Sequence, residues 1–260
     1  MEEQNQPTPS SWEQGVLQSV LMASIKEQRS ARRWGIFFKG AFLAYFLVIL
    51  FLAWPTGGKK FEHHAPHAAM VTVNGMISAA DEANAKSISE GLRNAFEAEK
   101  SKGVIVKINS PGGSPVQSSY IYNEMRRLRA KYPEKKLYAV IEDLGGSGGY
   151  FVAVGADEIY ADPASIVGSI GVLMPNFGFV EIMQKIGVEQ RTLAAGENKN
   201  FLDPLSPVKP EQVAFMKNLL EGVHQQFIKA VKEGRGQRLK SNDPTLFSGL
   251  FWSGEQALTL

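Results

Sequence analysis

No cysteine occurs anywhere in the 260 residues, which excludes disulfides, thiolate metal sites and cysteine nucleophiles together. That absence leaves the compartment open, because a protein can fold outside the cytosol without disulfides. Histidine is nearly as scarce. Three of the four crowd into His63-His64-Ala65-Pro66-His67, leaving His224 as the only imidazole further along the chain. A charge excess is also missing: the net charge is +2 and the basic residues are scattered, so no nucleic-acid footprint is present and no nucleic-acid partner is expected. Apolar residues are plentiful at 44%, enough for one sizeable core with appendages.

The longest apolar run is Trp34 to Trp54, interrupted only by Lys39. At ~1.5 Å per residue it spans a hydrocarbon layer of ~30 Å, with a tryptophan at each interface and Lys39 able to snorkel. Residues 34–54 are therefore read as a transmembrane signal anchor in contact with the lipid bilayer. A cleaved signal peptide fits less well, since the run lies well inside the chain and Trp54-Pro55-Thr56 offers no small-x-small cleavage site. Residues 1–33 read as a cytoplasmic tail, polar to about Gln14 and then amphipathic from Val16 to a cluster of Lys26, Arg29, Arg32 and Arg33. More basic residues precede the run than follow it as Lys59-Lys60. The positive-inside rule accordingly puts the remainder of the chain on the extracytoplasmic side. Residues 55–69, with Gly57, Gly58 and Pro66, read as a linker. Its three imidazoles are expected to belong to a solvated tether, and neither a metal nor a cofactor is assigned.

From residue 70 to 260 short apolar runs alternate with helical patterns, as in an α/β domain. Strands are expected at Val71–Val73, Gly103–Ile108, Lys136–Ile141, Glu158–Tyr160 and Gln190–Leu193, with a turn or short strand at Ile166–Leu173. Helices are expected at Glu82–Lys100, Gln117–Lys131, Tyr150–Ala156, Phe179–Ile186 and Pro210–Gly234. The sequence stops at Trp252–Leu260, within an expected helix, so a C-terminal portion of this domain is expected to be missing.

One stretch concentrates chemistry. Gly145-Gly146-Ser147-Gly148-Gly149-Tyr150 sets one hydroxyl among four glycines between an expected strand and an expected helix, which is how a nucleophile is displayed. A glycine-rich turn that only packs is the plain alternative. The stretch also satisfies the G-x-S-x-G elbow of α/β-hydrolases, which calls for a downstream histidine. Only His224 is available, and it lies mid-helix, where a structural role is the commoner one. A lysine can replace histidine if its ordinary pKa of ~10.4 falls by about three, to near neutrality, through desolvation and hydrogen bonding. Lys199, in the loop Ala195–Pro204, and Lys107, before the turn Asn109-Ser110-Pro111-Gly112-Gly113-Ser114-Pro115, both qualify by position, and the pattern does not rank them.

Four motifs in order resemble those of bacterial signal peptide peptidase A in its short, single-catalytic-domain form. They are Ile108-Asn109-Ser110-Pro111-Gly112-Gly113, Ser147-Gly148-Gly149-Tyr150, Gly168-Ser169-Ile170-Gly171-Val172 and Gly196-x-x-Lys199. The resemblance implies a ClpP/crotonase-like α/β spiral of repeated β-β-α units. Ser147 would be the acylating nucleophile, Lys199 its general base and Ser169 a hydrogen-bonding support for the lysine, while the N–H groups of Gly113 and Gly148 would form the oxyanion hole. Gly146 stands where many members have alanine or another small residue. The resemblance further implies a homo-oligomeric ring in which serine and lysine come from neighbouring protomers, no cofactor, signal-peptide remnants and other apolar peptides as substrates, and a bacterial inner-membrane location with the catalytic domain on the periplasmic or extracytoplasmic side. Two other functions use the same motifs: a crotonase-like acyl-CoA enzyme, which needs only the oxyanion hole, and an inactive peptide-binding membrane scaffold.

Overall fold

The structure, a computed structural model, describes residues 11–53, 65–240 and 243–260. The chain divides into two units, Met1–Glu62 and His63–Leu260. The first contains α1 (Ser11–Ala53), a continuous helix of 43 residues. The boundary expected near residue 33 does not interrupt it, because no proline lies within the helix and its glycines, Gly15, Gly35 and Gly40, are tolerated. Within α1, Lys26–Phe51 has a mean hydropathy of 2.0 and is long and apolar enough to cross a membrane. His63 and His64 lie outside the described residues. His67 opens the first strand, with its Nδ1 3.1 Å from the Ala65 carbonyl.

The second unit is built on a six-stranded sheet. Its elements are β1 (His67–Asn74), α2 (Ala85–Glu97), β2 (Ser101–Ser110), α3 (Pro115–Lys131), β3 (Lys136–Gly146), α4 (Gly148–Ala153), β4 (Glu158–Ala161), β5 (Ile166–Gly168), α5 (Val180–Lys185), α6 (Pro210–Arg235), β6 (Phe251–Ser253) and α7 (Gly254–Ala257). The strand order is β1-β2-β3-β5-β6, and β4 also pairs with β3. The first half of β3 pairs with β4 and its end pairs with β5. All pairings are parallel except β5 with β6.

Burial alternates along the central strands. Val104, Val106 and Ile108 of β2 and Leu137, Ala139 and Ile141 of β3 are buried, with Ile88, Leu92 and Phe96 of α2 and Ile121, Met125 and Leu128 of α3 in the same core. Local chemistry sets where the helices start. The Asn84 side chain accepts from the Ser87 N–H at 2.9 Å, so α2 starts at Ala85 rather than Glu82. Ser114 caps α3 and Pro115 occupies its first position, two residues before the expected start. Gln190–Leu193 is not a strand: its side chains are half-exposed or exposed, no strand among the described residues pairs with it, and a β-favouring tetrapeptide without a pairing partner gains nothing from extension. The C-terminal stretch read as one helix is β6 followed by α7, separated by a capping box between Ser253 and Gln256.

Glu124 ties α3 to α2. Hydrogen bonding from Arg127, assisted by Arg93, outweighs the opposing cost of burial and lowers its pKa from 4.5 to about 2. A depressed carboxylate pKa contributes stability that is complete above 4.5 and is lost as pH falls from there through about 2. Both arginines are roughly half exposed, so solvent screening limits the contribution to about 1 kcal/mol. Glu124→Gln is expected to lower stability by about that amount at neutral pH, with the difference closing towards pH 2 in denaturant titrations.

Candidate active site

The ends of three parallel strands meet at one edge of the sheet, where α/β proteins place their ligands. Ser147 sits between β3 and α4 with φ 49° and ψ −120°, a conformation that a residue with a Cβ rarely adopts. Its N–H donates to the Gly168 carbonyl at 2.8 Å and its carbonyl accepts from the Phe151 N–H at 2.9 Å. Those two bonds hold the strained turn, while the Ser147 hydroxyl makes no hydrogen bond among the described residues. A side chain lifted out of a sharp strand-to-helix turn in this way is displayed rather than packed.

The Gly112-Gly113 turn, which follows β2, lies against it. Gly112 has φ +100°, and a Cβ there would come within 2.5 Å of the Gly148 nitrogen and 2.7 Å of Ser147 Cβ. Gly113 has φ +148°, and a Cβ there would lie 2.2 Å from the Ile77 carbonyl oxygen. Ile77 clamps this turn: its N–H donates to the Gly112 carbonyl at 2.8 Å and its carbonyl accepts from the Ser114 N–H at 2.8 Å. The N–H groups of Gly113 and Gly148 donate to no acceptor among the described residues. Two unengaged donors on adjoining turns beside a displayed hydroxyl are what an oxyanion hole requires.

Ser169 is also at positive φ, 53°. A Cβ on Gly146 would lie 3.9 Å from Ser169 Cβ, so this serine borders the nucleophile turn. Its N–H is taken by the Leu250 carbonyl at 2.8 Å. Beneath the hole, buried Ser118 points its hydroxyl at Gly148, where a Cβ would be only 2.4 Å away, and that hydroxyl has no partner among the described residues. The sequence pattern did not single out Ser118 or Ile77; the Gly112-Gly113 pair, which only a close approach requires, was the available signal.

The candidate bases separate clearly. His224 is half-buried on α6 with Nε2 3.0 Å from the Ile170 carbonyl, a bond that occupies it structurally. Lys107 is held by the Glu142 carboxylate at 3.1 Å. Lys199 is exposed in a turn closed by its own N–H on the Gly196 carbonyl at 3.0 Å, and its Nζ makes no hydrogen bond or ion pair among the described residues. Ser147, Ser169, Gly113 and Gly148 are thus gathered within one chain, whereas Lys199 is not hydrogen-bonded to them.

Residues 129–260, about half the chain and including Ser147, Ser169 and Lys199, match the profile of peptidase family S49. The chain belongs to peptidase family S49. Its S49 sheet and helices are of the ClpP-like α/β type. The chain is 27% identical over 196 residues to a putative signal peptide peptidase SppA of Enterococcus faecium, covering 72% of this chain and 56% of that one. It is 33% identical over 206 residues to Protease 4 of Haemophilus influenzae, covering 76% and 32%. It is also 50% identical over 169 residues to a Brucella melitensis protein named Na(+)/H(+) antiporter NhaA, covering 65% of this chain and 23% of that one. The chain therefore spans between about a quarter and just over half the length of these three relatives. The family profile begins after the Gly112-Gly113 turn, so the assignment of Gly113 rests on geometry and on the motif resemblance.

Proposed function

We propose that this S49 chain is the catalytic part of a serine endopeptidase, anchored by residues 34–54 in a bacterial inner membrane with the catalytic unit on the extracytoplasmic side. Its substrates are signal-peptide remnants and other apolar peptides in extended form. The observation that carries the reading is the strained, displayed Ser147 beside the unengaged N–H groups of Gly113 and Gly148. Ser147 Oγ attacks the scissile carbonyl, the oxyanion is received by the two N–H groups, and the Ser147 proton passes to the neutral Lys199 amine. Lys199 returns a proton to the leaving amine, then removes one from the water that hydrolyses the acyl-enzyme. Ser169 orients the amine. No cofactor enters this scheme.

Lys199 reaches a serine, in this reading, by association of protomers into a ring. No residue from Gly171 to Lys209 is buried, and the stretch exposes Leu173 at 81%, Phe177 at 73%, Ile186 at 66% and Leu193 fully. So many exposed large apolar side chains along one stretch of chain support a protein interface that would include the loop bearing Lys199. Transport is not carried over from the Brucella relative, because most of that protein lies outside the match.

A fluorophosphonate, which reacts with activated serines, tests the assignment on the full chain in detergent. One adduct on Ser147, found by peptide mass spectrometry, is expected. An unlabelled Ser147 in assembled protein would favour the crotonase-like or inactive-scaffold readings, both of which lack an activated serine.

A further inference from the structure

Beside the C-terminal end of α4, the C-terminal ends of α3 and α6 enclose a cleft of about 720 Å³. Five cationic side chains line it, those of Arg126, Arg129, Lys135, Arg235 and Arg238, against the two carboxylates of Asp157 and Glu233. Both carboxylates are already engaged, Asp157 by Arg129 and Glu233 by Arg126, each at 2.5 Å. Lys135 Nζ donates to the carbonyls of Phe96 and Ala98 at 2.6 and 2.8 Å. Arg238 donates to the carbonyls of Asp157 and Gly234. Arg235 is the exception: half-buried, its side chain makes no hydrogen bond or ion pair among the described residues.

A guanidinium carries five donors, and taking one out of water without a counter-charge is costly. Burial and then the like charge of Arg238 act to lower the Arg235 pKa, with the Tyr150 phenol opposing them. The backbone just before Arg235 is closely packed. A Cβ on Gly234 would lie 2.2 Å from the Val154 carbonyl oxygen, so the end of α6 is pressed against the end of α4, and Gly236 turns the chain at φ +52°. Arg235 is a preset fork facing a cleft whose remaining cations outnumber its carboxylates, the arrangement that suits bidentate binding of a multiply charged oxyanion.

We propose that this cleft is a binding site for a phosphate group, with Arg235 as its principal ligand and Arg238 and Lys135 supplying the surrounding positive field. The site is separate from the serine turn, yet Arg235 interacts electrostatically with Tyr150, three residues after Ser147 on α4. The phosphate comes either from solution or from a lipid headgroup.

The experiment is thermal unfolding of the full chain in neutral detergent micelles, with inorganic phosphate or phosphatidic acid added at constant ionic strength. Phosphate, the lipid or both are expected to raise the Tm of the wild-type chain by about 2–4 °C when near saturation. The agent that acts identifies the source. Arg235→Ala is expected to abolish the shift and, in phosphate-free buffer, to melt no lower than wild type, because it removes an uncompensated charge. Arg235→Lys is expected to keep a reduced shift. No shift in wild type with either agent would overturn the proposal, as would an undiminished shift in Arg235→Ala. A lower Tm for Arg235→Ala without phosphate would also overturn it, since that is the mark of a purely structural arginine.

Discussion

Lys199→Ala and Ser147→Ala should each lower peptide hydrolysis by about 10⁴-fold or more, and mixing the two inactive proteins should restore activity to about a quarter of the wild-type level. In the proposed mechanism the loss follows from removing the base or the nucleophile of a pair that would act as a unit. The restoration would follow from the proposed sharing of sites between protomers, which is supported by a Lys199 that stands exposed with its amine unengaged among the described residues, on a stretch with no buried residue. If each site takes its serine from one protomer and its lysine from a neighbour, random reassembly gives an intact pair in about one site of four. The measurement is turnover of an apolar fluorogenic peptide after co-dissociation and reassembly. Failure to complement, with each variant folded and assembled, would assign serine and lysine to one chain. A fully active Lys199→Ala would remove the dyad altogether.

Gly148→Ala should reduce kcat by about 10²–10³-fold with KM little changed, because the proposed oxyanion donor that it disturbs would act mainly in the transition state. The added methyl would lie 2.4 Å from Ser118 Oγ, 3.2 Å from the Gly113 nitrogen and 3.3 Å from Gly112 Cα. It therefore pushes the two turns apart and displaces both N–H groups at once. Gly146→Ala is the matched control. Its methyl would meet nothing nearer than Leu144 Cδ1 at 3.6 Å, so activity close to wild type is expected. Equal losses in both variants would mean that the turn is sensitive to any methyl, and that the close approach of Gly148 to Gly113 has no special part.

The serine turn could be read from the chain because its requirements are local. A hydroxyl among glycines after an apolar run, followed by a second apolar run, marks a place where the backbone is free to turn tightly, and the structure shows that turn with Ser147 at positive φ. The Gly112-Gly113 pair was legible for the same reason, although the Ile77 clamp was not: Ile77 is an ordinary apolar residue until the parallel bridge sets it beside Gly113. Scarcity was as informative as presence. With His224 the only histidine beyond the start of β1, composition by itself nearly removed the usual partner of a serine, and the bond from its Nε2 to the Ile170 carbonyl agrees.

Sequence alone determined the apolar segment of residues 34–54, the order of strands and helices from β1 to β4, and the serine turn, because each depends on residues close together along the chain. Tertiary structure decided which turns touch. It placed Gly113 and Gly148 side by side, tied Lys107 to Glu142, left Gln190–Leu193 without a strand partner among the described residues, and set Arg235 in a cleft without an ion-pair partner of its own among the described residues. Those outcomes depend on side chains tens of residues apart meeting across strand order and helix packing, and no local pattern along the chain specifies such meetings.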